Sequence, residues 1–167
     1  IGSAHNDVLI SGTHADDVVG PGRIDCGAGN DIIVGSAATD TLIGGANIDT
    51  LSYENSTDGV TLSLATQATL SKTGALTGGT AGSSGDADGD TFTGFENLRG
   101  GADENSLTGD KNANIIEGGA SSDFLDGGLG FDLVSYEHSA PVSVDLTLQG
   151  TSDKTGAPDI GSATAQT

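Results

Sequence analysis

Apolar residues recur along this chain once every nine positions, each preceded by a polar stretch rich in Gly and Asp. Written as frames, residues 26–52 read CGAGNDIIV, GSAATDTLI and GGANIDTLS, and residues 2–19 read GSAHNDVLI and SGTHADDVV. Residues 85–93 read GDADGDTFT, and residues 100–135 read GGADENSLT, GDKNANIIE, GGASSDFLD and GGLGFDLVS. The eighth position is apolar in all ten frames: Leu9, Val18, Ile33, Leu42, Leu51, Phe92, Leu107, Ile116, Leu125 and Val134. The sixth is always Asp or Asn: Asp7, Asp16, Asp31, Asp40, Asp49, Asp90, Asn105, Asn114, Asp123 and Asp132. An amphipathic helix needs apolar residues three or four apart, which these frames lack. Frame ends such as Thr41-Leu42-Ile43 are β-prone, so each frame predicts a turn followed by a short strand. Two frames then make a coil of 18 residues with one strand on each side. The eighth positions fill a thin aliphatic interior, and turns stack on turns two frames away.

A longer period overlies the short one. Two six-residue units, GPGRID at 20–25 and GFENLR at 94–99, lie 74 residues apart and are too short for a full turn, though each keeps an apolar residue, Ile24 or Leu98. Full frames follow each unit. Each run ends in a similar segment, Ser52-Tyr53-Glu54 with Val60, Leu62 and Leu64, and Ser135-Tyr136-Glu137 with Val142, Val144 and Leu146. Lys72-Thr73-Gly74-Ala75 recurs as Lys154-Thr155-Gly156-Ala157. The expected organisation is a first roll block at 1–52, an inserted strand and loop segment at 53–84, a second block at 85–135 and a second inserted or terminal segment at 136–167. The alternation at Val60-Leu62-Leu64 and Val142-Val144-Leu146 predicts half-buried strands, as a hairpin covering the roll's exposed interior or as a ligand-binding loop. Thr77–Ser84 and the tail after Gly150 read as flexible linkers. The chain reads as cut from a longer tandem array.

Composition removes the ordinary alternatives. Only 34% of residues are hydrophobic and 4% aromatic, with no Trp and no Met, so a core of large interdigitated side chains is not expected. There are 24 acidic residues against 5 basic ones, a net charge of -19. Charge of that size opposes compaction unless cations neutralise it. It also argues against nucleic acid or an anionic membrane as partner, since both call for basic patches. A disordered acidic chain shares this composition but has no reason to hold ten frames in phase. Cys26 is the single cysteine, which rules out an internal disulfide. No apolar run is long enough to span a membrane.

Nineteen of the acids are Asp, which suits turns and hard cations. Stacked turns bring carboxylates and backbone carbonyls of adjacent coils together, and Ca²⁺ takes roughly 6–8 oxygen ligands of both kinds. Asp is short enough to reach an ion from within its own turn. The candidate glycines, Gly27, Gly29, Gly44, Gly45, Gly118, Gly119, Gly127, Gly128 and Gly130, are expected to aim carbonyls at it from positive-φ conformations. Fourth positions other than Gly29 and Gly130 carry His5, His14, Ala38, Asn47, Asp88, Asp103, Asn112 and Ser121, mostly types that tolerate positive φ. Stacking predicts that Asp31 and Asp49 share an ion row that Asp16 joins, with Asp7 and Asp40 on the opposite side. Asp90, Asn105 and Asp123 form a further row, and Asn114 with Asp132 another. Asn105 and Asn114 carry no charge, so ions there are expected to be weak or absent. Asp86 and Asp88 are possible extra ligands.

The frames, best seen at Cys26–Val34 and Gly127–Ser135, resemble RTX, or hemolysin-type calcium-binding, nonapeptide repeats. The resemblance implies an all-β fold, a parallel β-roll or right-handed β-solenoid, with calcium between stacked turns. It also implies bacterial origin, type I secretion and an extracellular or cell-surface location. The expected function is that of a calcium-binding structural module of a larger secreted protein, with adjoining repeats of the parent chain as partners. Rival readings are a glycan-binding region of a surface adhesin and a non-catalytic appendage of a secreted enzyme.

Other chemistry is weaker. Asp86-x-Asp88-x-Asp90 suggests an EF-hand loop, but Thr91 and Asn97 stand where that loop needs Gly and Glu. His5 and His14 occupy equivalent turn positions and read as replacements for a positive-φ Gly rather than as ligands of a soft metal. Glu54 and Glu137 read as surface carboxylates at a roll end rather than an acid–base pair. No nucleophile motif is present, so no catalytic residue is assigned.

Overall fold

A computed structural model describes residues 2–3, 5, 7–10, 23–71, 76–77, 82–139, 142–144 and 163–165. Asp16, His14 and the recurring Lys-Thr-Gly-Ala segments lie outside them. The described residues are all-β, with no α-helix and two short 3₁₀ turns, Leu64–Thr66 and Gly85–Ala87.

Six parallel strands form one face: β1 (Val8–Ile10), β3 (Ile32–Val34), β5 (Thr50–Ser52), β10 (Asn97–Arg99), β12 (Ile115–Glu117) and β14 (Leu133–Ser135). The opposite face carries two three-stranded parallel sheets. One is β2 (Arg23–Ala28), β4 (Thr41–Ala46) and β9 (Thr91–Thr93); the other is β6 (Thr61–Ser63), β11 (Ser106–Thr108) and β13 (Phe124–Asp126). Two antiparallel ribbons stand apart, β7 (Thr69–Leu70) with β8 (Leu76–Thr77), and β15 (Val142–Val144) with β16 (Ala163–Ala165). This is the parallel β-roll that the frames predict.

The register follows the eighth position. Leu9 pairs with Ile33, Ile33 with Leu51, Leu51 with Leu98, Leu98 with Ile116 and Ile116 with Val134. Across the interior, Ile24 pairs with Leu42 and Leu42 with Phe92. Leu62 pairs with Leu107 and Leu107 with Leu125. The short units therefore supply rungs through Ile24 and Leu98, without full turns.

The inserted segment does not lie over the roll as a hairpin cover. Its Val60, Leu62 and Leu64 are all buried, and β6 is itself a strand of the roll. The β7–β8 ribbon is hydrogen-bonded as a two-stranded sheet of its own. The interior is also broader here than aliphatic rungs alone provide: Tyr53, Phe92 and Phe95 are fully buried, with the two phenylalanine rings edge-on at 6.5 Å. Ser83, within the segment read as a linker, bridges to Thr61.

Candidate metal-binding turns

Sixth positions face one another across coils through one repeated contact. The backbone N–H of one sixth position donates to the side-chain oxygen of the next. Asp7 N–H donates to Asp31 Oδ1 at 2.7 Å and Asp31 N–H to Asp49 Oδ1 at 2.8 Å. Asp49 N–H donates to Glu96 Oε2 at 2.9 Å, and Asn114 N–H to Asp132 Oδ1 at 3.0 Å. Along the other edge, Asp40 N–H donates to Asp90 Oδ1 at 2.7 Å. Farther on, Val60 N–H donates to Asn105 Oδ1 at 3.0 Å and Asn105 N–H to Asp123 Oδ1 at 2.9 Å.

Two expected placements are corrected. Asp7 belongs with Asp31 and Asp49, not with Asp40. Frame counting failed because the coil from β1 to β3 also contains a six-residue unit, which sets Asp7 and Asp31 24 residues apart rather than 18. Asp90 stacks on Asp40, not on Asn105, because β6 enters the roll and places Val60 beside Asn105. The pairs Asp31–Asp49, Asn105–Asp123 and Asn114–Asp132 stand as expected.

Glu96 is a member of the row that frame counting missed. The signal was present: aligning Leu98 of the short unit with the eighth position puts Glu96 at the sixth. The corner from β9 to β10 holds only Gly94, Phe95 and Glu96, and the longer Glu side chain receives the Asp49 N–H.

The glycines divide into two kinds. At second-position Gly45 φ is positive (118°), and an added Cβ would lie 2.2 Å from the Gly27 carbonyl oxygen. Gly27, Gly119 and Gly128 repeat this arrangement, and fourth-position Gly29 and Gly130 are also left-handed. First-position Gly44, Gly118 and Gly127 are not in positive φ, contrary to expectation. They leave room instead: a Cβ on Gly127 would lie 2.6 Å from Asp132 Oδ2, and one on Gly44 2.9 Å from Asp49 Oδ2. Of the described non-glycine fourth positions only Asn47 has positive φ, at 90°. At Ser3, Ser36 and Asp110 the second-position side chain closes the turn. The fourth-position N–H donates to Ser3 Oγ at His5, to Ser36 Oγ at Ala38 and to Asp110 Oδ1 at Asn112.

Charge is held here without enough partners. Asp31, Asp49 and Asp132 each bury an Oδ2 that accepts no hydrogen bond among the described residues. Burial, reinforced by the charges of Asp31 and Glu96, pushes the Asp49 carboxyl up to about 6, against a single opposing backbone hydrogen bond. Burial likewise raises Glu96 and Asp123. A buried ionised carboxylate with an idle oxygen requires a cation or a proton. Among the described residues no three His, Cys, Asp or Glu side chains gather in one place. The fit is therefore to a hard cation that accepts one or two carboxylates and completes its shell with stacked carbonyls, as Ca²⁺ does.

Other turns are closed by the protein itself. The Tyr53 hydroxyl donates to Asp90 Oδ2, and its ring lies where any Cβ on Gly35 would sit. Burial pushes Asp90 up to about 7, offset in part by the Tyr53 and Asp40 hydrogen bonds and aided by the charges of Asp40 and Asp86. Asp88 is exposed. Glu54 pairs with Arg99, which also bonds Glu117 at 3.0 Å.

Parallel strands joined by Gly-rich turns that stack buried carboxylates on backbone carbonyls define a class: repeat solenoids held by hard cations. Residues 23–51 and 99–134 match the model of the RTX calcium-binding nonapeptide repeat family, in four copies. The repeats in those stretches belong to it, and calcium is the ion such repeats bind. No curated protein matches the chain.

Proposed function

We propose that this chain is a calcium-responsive structural module of a larger secreted bacterial protein. Where calcium is scarce its carboxylates repel and the chain stays extended. On export into millimolar calcium, ions enter the turns and binding energy becomes folding energy. Extracellular calcium modules bind at about 10⁻⁴–10⁻³ M, which suits such a switch.

The observation that carries this reading is the set of buried, unaccepted oxygens on Asp31, Asp49 and Asp132. The assigned ligands are those carboxylates, with Asp7 and Glu96 in the same row. Carbonyls of the glycine turns at 27–29, 44–45 and 127–130 complete them. We read residues 1–52 and 85–135 as two blocks of one roll, a reading that the β5–β10 pairing supports. The repeat family is a non-catalytic structural module, and we assign this chain no catalysis. RTX repeats occur in secreted bacterial proteins, which supports type I export and an extracellular or cell-surface place. Adjoining repeats of the parent chain are the expected neighbours.

Circular dichroism through a calcium titration from EDTA tests this. The expected result is a cooperative gain of β signal. A spectrum that does not change across the titration overturns the reading.

A further inference from the structure

Asn105 is buried, 3% exposed, at the sixth position of its frame. Its side-chain nitrogen lies among four oxygens: Asp103 O at 2.6 Å, Gly118 O at 2.8 Å, Asp123 Oδ1 at 2.8 Å and Gly101 O at 3.3 Å. Its side-chain oxygen faces only donors, Val60 N–H at 3.0 Å and Gly101 N–H at 3.1 Å. The amide orientation follows from these partners, since exchanging O and N would set four acceptors against an acceptor and two donors against a donor.

The four oxygens come from two stacked turns. Three are backbone carbonyls and one is a sixth-position carboxylate. That is the same kind of oxygen set assigned to an ion at the Asp31–Asp49 junction, where Asp49 Oδ2 is left unaccepted. At the Asn105 junction the place is filled by an N–H₂ group carrying positive partial charge.

We propose that the Asn105 side-chain amide takes the place of the calcium ion at the Asn105–Asp123 junction, so that this turn closes without metal and becomes a calcium site on a single isosteric change. The inference rests on the calcium reading of the other turns. Asn105→Asp turns the donor into a carboxylate oxygen among four oxygens. That arrangement repels itself until a cation enters, and the side-chain volume is unchanged.

Two measurements test it. Equilibrium dialysis counts calcium per chain for wild type and N105D, and N105D is expected to hold one ion more. A folded N105D with the wild-type count overturns the proposal. Anomalous scattering from calcium-grown crystals of the wild-type chain needs no variant to fold. It is expected to show ions at the Asp31–Asp49 junction and none beside Asn105. A peak at bonding distance from the oxygens around Asn105, roughly 2.3–2.6 Å, overturns it. Failure of the calcium reading itself shows separately, as a wild-type chain that binds no ion, and removes this inference with it.

Discussion

What separates Gly45 from an alanine is one carbonyl. Its φ of 118° disfavours any side chain, and the missing methyl would press on the Gly27 oxygen at 2.2 Å. Ala where φ is positive destabilises by more than about 1 kcal/mol. Gly45→Ala is therefore expected to lower the thermal midpoint in saturating calcium, and differential scanning calorimetry measures it. The sequence showed that Gly recurs, but not that two different needs produce it. Gly127 has ordinary φ and is small because Asp132 Oδ2 lies against it. The fourth-position expectation failed for a related reason. Ser3, Ser36 and Asp110 close their turns by side-chain hydrogen bonds, a route that propensity for positive φ does not reveal.

Among strands, the eighth position fixed almost everything that could be read in advance. Rung residues from Ile33 to Ile116 are buried in the order the frames set. Leu98, in a unit too short for a turn, is as buried as the rest, at 1% exposure. Leu98→Ala is expected to cost about 2–5 kcal/mol by loss of burial and a residual cavity. Leu129→Ala, at a residue 51% exposed, should stay within about 0.5 kcal/mol of wild type. Urea melts in saturating calcium compare the two. Glu96 and Tyr53 were not found in advance. Frame counting skipped the first because its unit lacks the turn glycines. The second acts through a contact 37 residues distant, with Asp90, which no local pattern announces.

For the whole molecule the dominant quantity is acidic charge confined in a thin body. Asp49 and Asp90 titrate near 6 and 7 in the folded chain, against about 3.9 when unfolded. A raised carboxyl pKa means the folded state binds the proton more tightly. That stabilisation is complete below about pH 4 and is lost as pH rises through 6 to 7. Calcium-stripped chain is thus expected to be more stable at pH 4.5 than at pH 7.5, by thermal melts without added ion. Calcium affinity should rise over the same interval, because the ligands must lose their protons first. Repeat phase and net charge made this regime legible from composition. The neutral Asn105 and Asn114 were legible as weak turns, but which Asp turns keep an idle oxygen was not, because idle and satisfied oxygens differ only in their three-dimensional partners.

One consequence follows from the pairing of Leu51 with Leu98. Between β5 and β10 the chain adds β6 to one sheet of the roll and β9 to another, and makes the β7–β8 ribbon between those two strands. Length on that path is decoupled from pitch. The β7–β8 ribbon is accordingly a splice point, where a different hairpin could be grafted without re-indexing the strands on either side.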